Sequence, residues 1–248
     1  TLDASQPPKA SRRDHLKLLG LLAVGGSLGW AAREPLGLPQ LLADTSTATG
    51  ERRQWQGSDG SRIQLNTASA IDLHYSADQR QLKLIHGEVS LDSNPNDNRP
   101  FHVATPVGPL TTFDGQLLLR ENSQGLLLSV RRGEVTLFPA SASARQVLPG
   151  ETLQVSANGS IQARTLHNDP WGWTEGVLSV QQMPLAEFVS ELGRYRPGLL
   201  RCAPEVAGLK VSGTYQLADT GQILQLLTRS LPVRVEYRTR YWVSIGAA

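Results

Sequence analysis

Short apolar alternations broken by turn signals fill the chain from about Thr49 to Arg164. Ser58-Asp59-Gly60-Ser61 is a D-G turn, and Arg62-Ile63-Gln64-Leu65 follows it with period two. Ile71, Leu73 and Tyr75 alternate with Asp72 and His74, and Leu82, Leu84, Val89 and Leu91 flank Gly87. Further strands are predicted at Phe101–Thr105, Leu117–Arg120, Leu126–Arg131, Glu134–Phe138, Gln146–Leu148, Thr152–Val155 and Ile161–Arg164. Asp92–Pro100, DSNPNDNRP, is a loop with nothing to bury. The pattern predicts an all-β antiparallel domain of many short strands over 48–166. A Gly-Glu pair recurs between alternating runs at Gly87-Glu88, Gly133-Glu134 and Gly150-Glu151. Each suits a tight bend, with Gly at positive φ and Glu facing solvent.

The pattern changes at the segment 167–176, HNDPWGWTEG, which reads as a linker with one or both of Trp171 and Trp173 packed between domains. Beyond it, Val177–Gln181 is a strand, and Leu185, Phe188, Val189 and Leu192 form the apolar stripe of a helix. Leu209, Val211 and Gly213 mark another strand. Asp219 is placed to cap a second helix carrying Ile223, Leu224, Leu227 and Leu231, which Pro232 stops. The alternation Val233, Val235, Tyr237 and Tyr241, Val243, Ile245 is one long strand or a hairpin turning near Arg238–Arg240. The order β-α-β-α-β over 177–248 predicts a small α+β domain with one sheet backed by two helices. The fold class is therefore mainly β, with this second unit following the β domain.

Upstream, Leu18–Ala32 is an uncharged apolar run, and Leu16 and Lys17 extend it. A globular helix of this length would carry a polar face, and this one has none. Residues 16–34 are predicted as one transmembrane signal-anchor, preceded by a cytoplasmic tail, 1–15, and followed by a linker, 35–47. Lys9, Arg12, Arg13 and Lys17 precede the run, which places the tail in the cytoplasm and 33–248 outside it. Ser11-Arg12-Arg13-Asp14-His15-Leu16-Lys17 resembles the twin-arginine export motif, with Arg12 and Arg13 as its pair and His15 where Phe is usual.

Composition narrows the chemistry. The net charge of +2 supplies no field for nucleic acid. The single cysteine, Cys202, excludes an intramolecular disulfide. His15, His74, His86, His102 and His167 have no ligand spacing, and no P-loop or dinucleotide fingerprint is present. No catalytic residue, cofactor or metal is expected, and the chain does not read as an enzyme.

The stretch Ala48–Ile71, ATGERRQWQGSDGSRIQLNTASAI, resembles the opening of the FecR-type domain, and the likeness continues through LIHGEVSLD, RPFHVATPVGPL, VRRGEVTLF and VLPGETLQV. The tail from Trp173 to Ile245 is similar to the short domain shared by secretins and TonB-dependent receptors. That family comprises transmembrane sensors of the inner membrane, anti-sigma regulators of siderophore uptake. The resemblance implies a periplasmic region that binds the N-terminal signalling domain of an outer-membrane TonB-dependent siderophore receptor. It also implies an extracytoplasmic-function sigma factor held by a cytoplasmic domain upstream of residue 1. The alternatives are a scaffold module of envelope assembly and a hydrolase housed in the β domain.

Within that resemblance, the open sheet edges of the terminal domain are the candidate partner surface. They are Leu209, Val211, Gly213 and Tyr215 on one strand, and Arg238, Arg240 and Trp242 on the last. Trp242 is either an interface anchor beside arginines or a cover for its own domain's core. The Gly-rich membrane run is a substrate for membrane proteases at Gly25, Gly26 and Ser27. Some relatives cleave themselves at a Gly-Thr pair. Here Gly115-Gln116 stands at that place, and Gln116 has no hydroxyl for an acyl shift.

Overall fold

The computed structural model describes residues 43–248. The predicted membrane anchor at 16–34, the twin-arginine pair and Gly25, Gly26 and Ser27 lie outside the described residues. Among the described residues no helix is long and apolar enough to cross a membrane.

Two seven-stranded sheets make the first domain. One runs in the order β1 (Thr45–Ser46), β4 (Ala70–Tyr75), β5 (Arg80–His86), β7 (Phe101–Ala104), β8 (Leu110–Thr112), β11 (Val135–Leu137) and β12 (Arg145–Val147). The other runs β14 (Ile161–Ala163), β13 (Thr152–Val155), β10 (Gly125–Arg132), β9 (Gln116–Asn122), β6 (Glu88–Asp92), β3 (Arg62–Leu65) and β2 (Arg53–Gln56). Ile63, Leu65, Leu91, Leu117 and Leu153 from one sheet share a single core with Ile71, Leu82, Phe101, Leu110 and Val147 from the other. The period-two pattern thus faces inward from both sheets, which is how a sandwich buries alternating strands. The pairing is antiparallel except between β5 and β7, where Arg80 to Lys83 run parallel to Phe101 to Ala104. The chain leaves β5 for β6 in the opposite sheet before returning as β7, so the two neighbours point the same way.

The segment 92–100 departs from its expectation as a loop with nothing to bury. Arg80 is fully buried, with its guanidinium 3.1 Å from Asp59. It also donates to the carbonyl oxygens of Asn94, Asp97, Arg99 and Phe113. One buried cation with several acceptors fixes a loop that has no apolar reason to be ordered.

The second unit begins with a 3-10 turn at Gly172–Glu175 and continues as β15 (Val177–Pro184), α1 (Leu185–Gly193), β16 (Leu199–Cys202), β17 (Lys210–Gln216), α2 (Thr220–Ser230), β18 (Val233–Thr239) and β19 (Trp242–Ala247). Asp219 caps α2 by accepting the Gln222 N–H at 3.0 Å. The expected single sheet is two sheets, β15-β17 and β16-β19-β18. β16, which the helix pattern hides after Pro197-Gly198, runs parallel to β19 and opens the second sheet. Both helices pack against both sheets, and Phe188, Leu192, Ile223, Leu224, Val211, Val243 and Ile245 form one core.

Candidate functional site: the domain junction and the open strand edges

The outer face of the β6-β9-β10 part of the sandwich is covered by the second unit. Leu118 points out of the sandwich and is fully buried in the second unit's core. Glu88, Leu127, Ser129 and Gln154 are buried on the same side. The segment 167–176 is part of this seam. Its Trp171 donates from Nε1 to Ser129 Oγ at 3.3 Å, and the Arg131 guanidinium lies 4.4 Å from its ring centroid. Trp173 is also buried, and its carbonyl accepts from Arg52 at 2.8 Å. Both tryptophans therefore sit between the domains, carried by a 3-10 turn rather than by an extended segment.

An alternating chain of charges crosses the seam. Glu88 on β6 accepts from Arg194, just past α1, at 2.5 Å. Arg194 also lies 3.3 Å from Glu191 on α1, and Glu191 accepts both terminal nitrogens of Arg120 on β9, at 2.6 and 3.1 Å. Asn66 donates to Glu88 at 2.8 Å and to the Tyr195 hydroxyl at 2.9 Å. Burial would raise Glu191, but Arg120 and Arg194 outweigh it and hold the carboxyl below its ordinary range. Burial would lower Arg194, and Glu88 and Glu191 reverse that, keeping the guanidinium charged. Burial beside Glu88 pushes Tyr195 up to about 12, so it stays a neutral phenol.

Glu88 corrects the expectation that each Gly-Glu pair turns its carboxylate to solvent. Gly87, Gly133 and Gly150 all take positive φ, as the bend requires, and Glu134 is exposed. Glu88 alone is sealed under the second unit, at 2% exposure. A signal for this was present in the chain. Leu117-Leu118-Leu119 and Leu126-Leu127-Leu128 are continuous apolar runs, and such runs mark strands covered on both faces. A cavity of about 150 Å³ remains at the seam, bordered by Glu88, Arg120, Glu191, Arg194 and Trp173. Glu88 and Glu191, which border it, are already held by guanidinium groups. Among the described residues no group of three or more His, Cys, Asp or Glu is placed to hold a metal ion.

The candidate partner residues fall in two places. Leu209 packs partly buried just before β17, and Val211, Gly213 and Tyr215 lie on it. Val211 is buried, and Tyr215 packs edge-to-face on Phe188 with ring centroids 5.0 Å apart. Gly213 is inside the strand, opposite Val180, at φ +148°, a conformation that favours glycine. Among the described residues β17 pairs with β15 alone. The far edge of β15 is closed by the seam segment, where Asp169 and Gln181 N–H groups bond to Ser179 and His167 carbonyls. β17 therefore offers the free edge of this sheet.

Arg238, Arg240 and Trp242 gather instead at the β18–β19 turn. Trp242 is 40% exposed and belongs to neither core. Arg238 lies 4.9 Å from its ring centroid, and Arg240 lies 4.5 Å from that of Tyr241. The long last strand is resolved as a hairpin, with a register shift between Tyr237 and Thr239.

Residues 43–136 match the family model of the FecR protein. Two crystal structures of a candidate anti-sigma factor from Parabacteroides distasonis ATCC 8503, at 1.65 and 2.50 Å resolution, share the fold. Their TM-scores are 0.66 and 0.65, with 19% and 20% sequence identity, and each match covers 82% of this chain and 98% of the other. No curated protein matches.

Proposed function

We propose that this chain, whose sandwich carries a FecR domain over residues 43–136, is a membrane-anchored regulator of an extracytoplasmic-function sigma factor. The observation that carries the reading is the FecR domain clamped to an α+β unit whose β17 edge is unpaired. The shared fold with a candidate anti-sigma factor supports the same direction. In this reading Leu18–Ala32 is a single inner-membrane span with the tail inside, and 33–248 stands in the periplasm. The sigma factor is held on the cytoplasmic side of that span. No reaction is catalysed by the described residues; their work is recognition.

The partner is the signalling domain of an outer-membrane TonB-dependent siderophore receptor. It adds a strand to β17, with backbone hydrogen bonds for affinity and exposed Ser212, Thr214 and Gln216 for register. Membrane proteases then cut at Gly25, Gly26 and Ser27, where small residues loosen the helix, and release the cytoplasmic part.

Amide exchange tests the partner assignment. Addition of a receptor signalling domain slows exchange over Lys210–Gln216. Unchanged exchange there, with binding intact, would sink the edge as the docking strand. A reporter driven by the sigma factor tests the regulatory claim. Deletion of residues 43–248 abolishes its response to siderophore, and a preserved response would refute the reading.

A further inference from the structure

The β18–β19 turn gathers exposed aromatic rings and cations. Tyr237, Tyr241 and Trp242 are 55%, 48% and 40% exposed, and Arg238 and Arg240 lie between and over the rings. No acidic residue follows Glu236, which is itself bonded to Arg234 at 2.7 Å. Exposed Leu199 stands opposite Trp242 in the register of β16 and β19. Each of the three rings has an apolar body and one polar tip, the character of side chains that settle where hydrocarbon meets headgroups.

The turn is also bonded to the sandwich through the segment that follows α1. Gly50 N–H donates to Thr67 Oγ1 at 2.7 Å, and Thr67 Oγ1 donates to the Arg194 carbonyl at 2.9 Å. Two residues on, Arg196 donates to the Arg240 carbonyl at 3.2 Å, and Leu199 N–H donates to that of Tyr241 at 2.6 Å. The sandwich segment around Gly50 and Thr67 and the turn are thus joined through Tyr195–Leu199. The apolar run ends at Ala32, so the residues from Arg33 to Leu42 separate it from the described chain. A tether of that length spans at most about 35 Å.

We propose that the β18–β19 turn is a membrane-contact element. It lies in the interfacial layer of an anionic bilayer, with Tyr237, Tyr241 and Trp242 at headgroup depth and Arg238 and Arg240 on lipid phosphates. The tether argument rests on the anchor proposed above; the rings and charges do not. An anionic bilayer matches this composition, because two cations stand beside three amphipathic rings and the acidic neighbour, Glu236, is held by Arg234. The contact would hold the second unit at a fixed orientation to the membrane and leave the β17 edge available.

Flotation with lipid vesicles tests this. Residues 43–248 hold both cores entire, so this segment is the protein to use, free of the apolar run. It floats with phosphatidylcholine vesicles containing phosphatidylglycerol, roughly thirtyfold more tightly than with phosphatidylcholine alone, the effect of two arginines at an anionic surface. High salt releases it. Arg238→Glu with Arg240→Glu removes the preference, and Trp242→Ser weakens what is left, with the melting temperature of each variant verifying its fold. Equal binding to both vesicle types, or unchanged binding of the charge-reversed variant, overturns the proposal. So does a parent segment that ignores vesicles while a soluble protein cross-links at Trp242. Alkaline extraction of the full chain reports separately on the anchor: release from membranes would sink the anchor and leave the vesicle result standing.

Discussion

Arg194 and Glu88 meet at 2.5 Å across the boundary between the two domains, and the Glu88 side chain is 3% exposed. The pair is one link in the chain Glu88–Arg194–Glu191–Arg120, so each domain supplies both a carboxylate and a guanidinium. A charge this deep is tolerated only with its partner in place. The seam is thereby specific as well as apolar, and the described residues, 43–248, form one compact unit.

Removing one partner isolates the other. Arg194→Met leaves Glu88 buried and unpaired, and lowers the unfolding free energy by about 3 kcal/mol. Adding Glu88→Gln to that variant recovers a large part of the loss, because the stranded charge is gone. Urea denaturation of the parent, the single and the double variant reads this. A double variant no more stable than Arg194→Met would show that the pair's charges do not govern the seam.

The same network sets a pH dependence. Burial acts against the Glu191 carboxylate, but Arg120 and Arg194 prevail and depress its folded-state value. A depressed carboxyl contributes stability that is present above its unfolded value of about 4.3 and is lost as pH falls through the folded value. Asp59 acts in the same direction: burial raises it, and the Ser61 hydroxyl and N–H with Arg80 bring it down. Stability therefore declines on acidification below about pH 4. The difference between the parent and Glu191→Gln shrinks over the same range. Denaturation midpoints at neutral and acidic pH measure both, and a difference independent of pH would exclude Glu191 as the titrating group.

Strands with clean alternation were legible in the chain, as at Arg62–Leu65 and Arg80–Leu84, because one face of each meets the sandwich core. α1 and α2 were legible for the matching reason at helical spacing. β16 was not, since LLRC has no alternation of its own and becomes a strand only beside β19, some forty residues on. Buried Glu88 was not legible at its own position, because burial on the outer face of a sheet depends on a second domain; its sign lay on the neighbouring strands, in the apolar runs Leu117–Leu119 and Leu126–Leu128. Gly213 was placed on the right strand, but only its backbone angle reveals why a glycine stands there. The candidate residues on the last strand were legible as composition, since Arg and Trp side by side are visible in the chain. Their gathering at one turn, with the rings under the guanidinium groups, needed the fold.

Trp171 offers a direct handle on the docking of the two units. It is 6% exposed, bonded to Ser129 and stacked under Arg131, and it belongs to the second unit's core and not to the inner core of the sandwich. Trp171→Ala costs about 3 kcal/mol, at the lower end for a buried tryptophan. Because the sandwich core is untouched, the loss falls on the second unit. Unfolding followed by Tyr215 and Trp173 environments then precedes that of the sandwich. A single coincident transition at unchanged midpoint would show that the seam does not depend on this ring.

The bond between Gly115 and Gln116 stays intact. Gly115 is buried, its N–H donates to Thr112 Oγ1 at 2.8 Å, and its carbonyl accepts the Ser93 N–H at 3.0 Å. A carbonyl so held is polarised, but an acyl shift also needs a hydroxyl on the following residue. Gln116 opens β9 opposite Asp92 and supplies an amide instead. Thr112 cannot substitute, because its hydroxyl already donates to the Glu134 carbonyl at 2.7 Å. Purified protein incubated for days at neutral pH therefore remains one chain by denaturing electrophoresis. Two fragments with Gln116 at the new N-terminus, appearing without added protease, would overturn the requirement for a hydroxyl at that position.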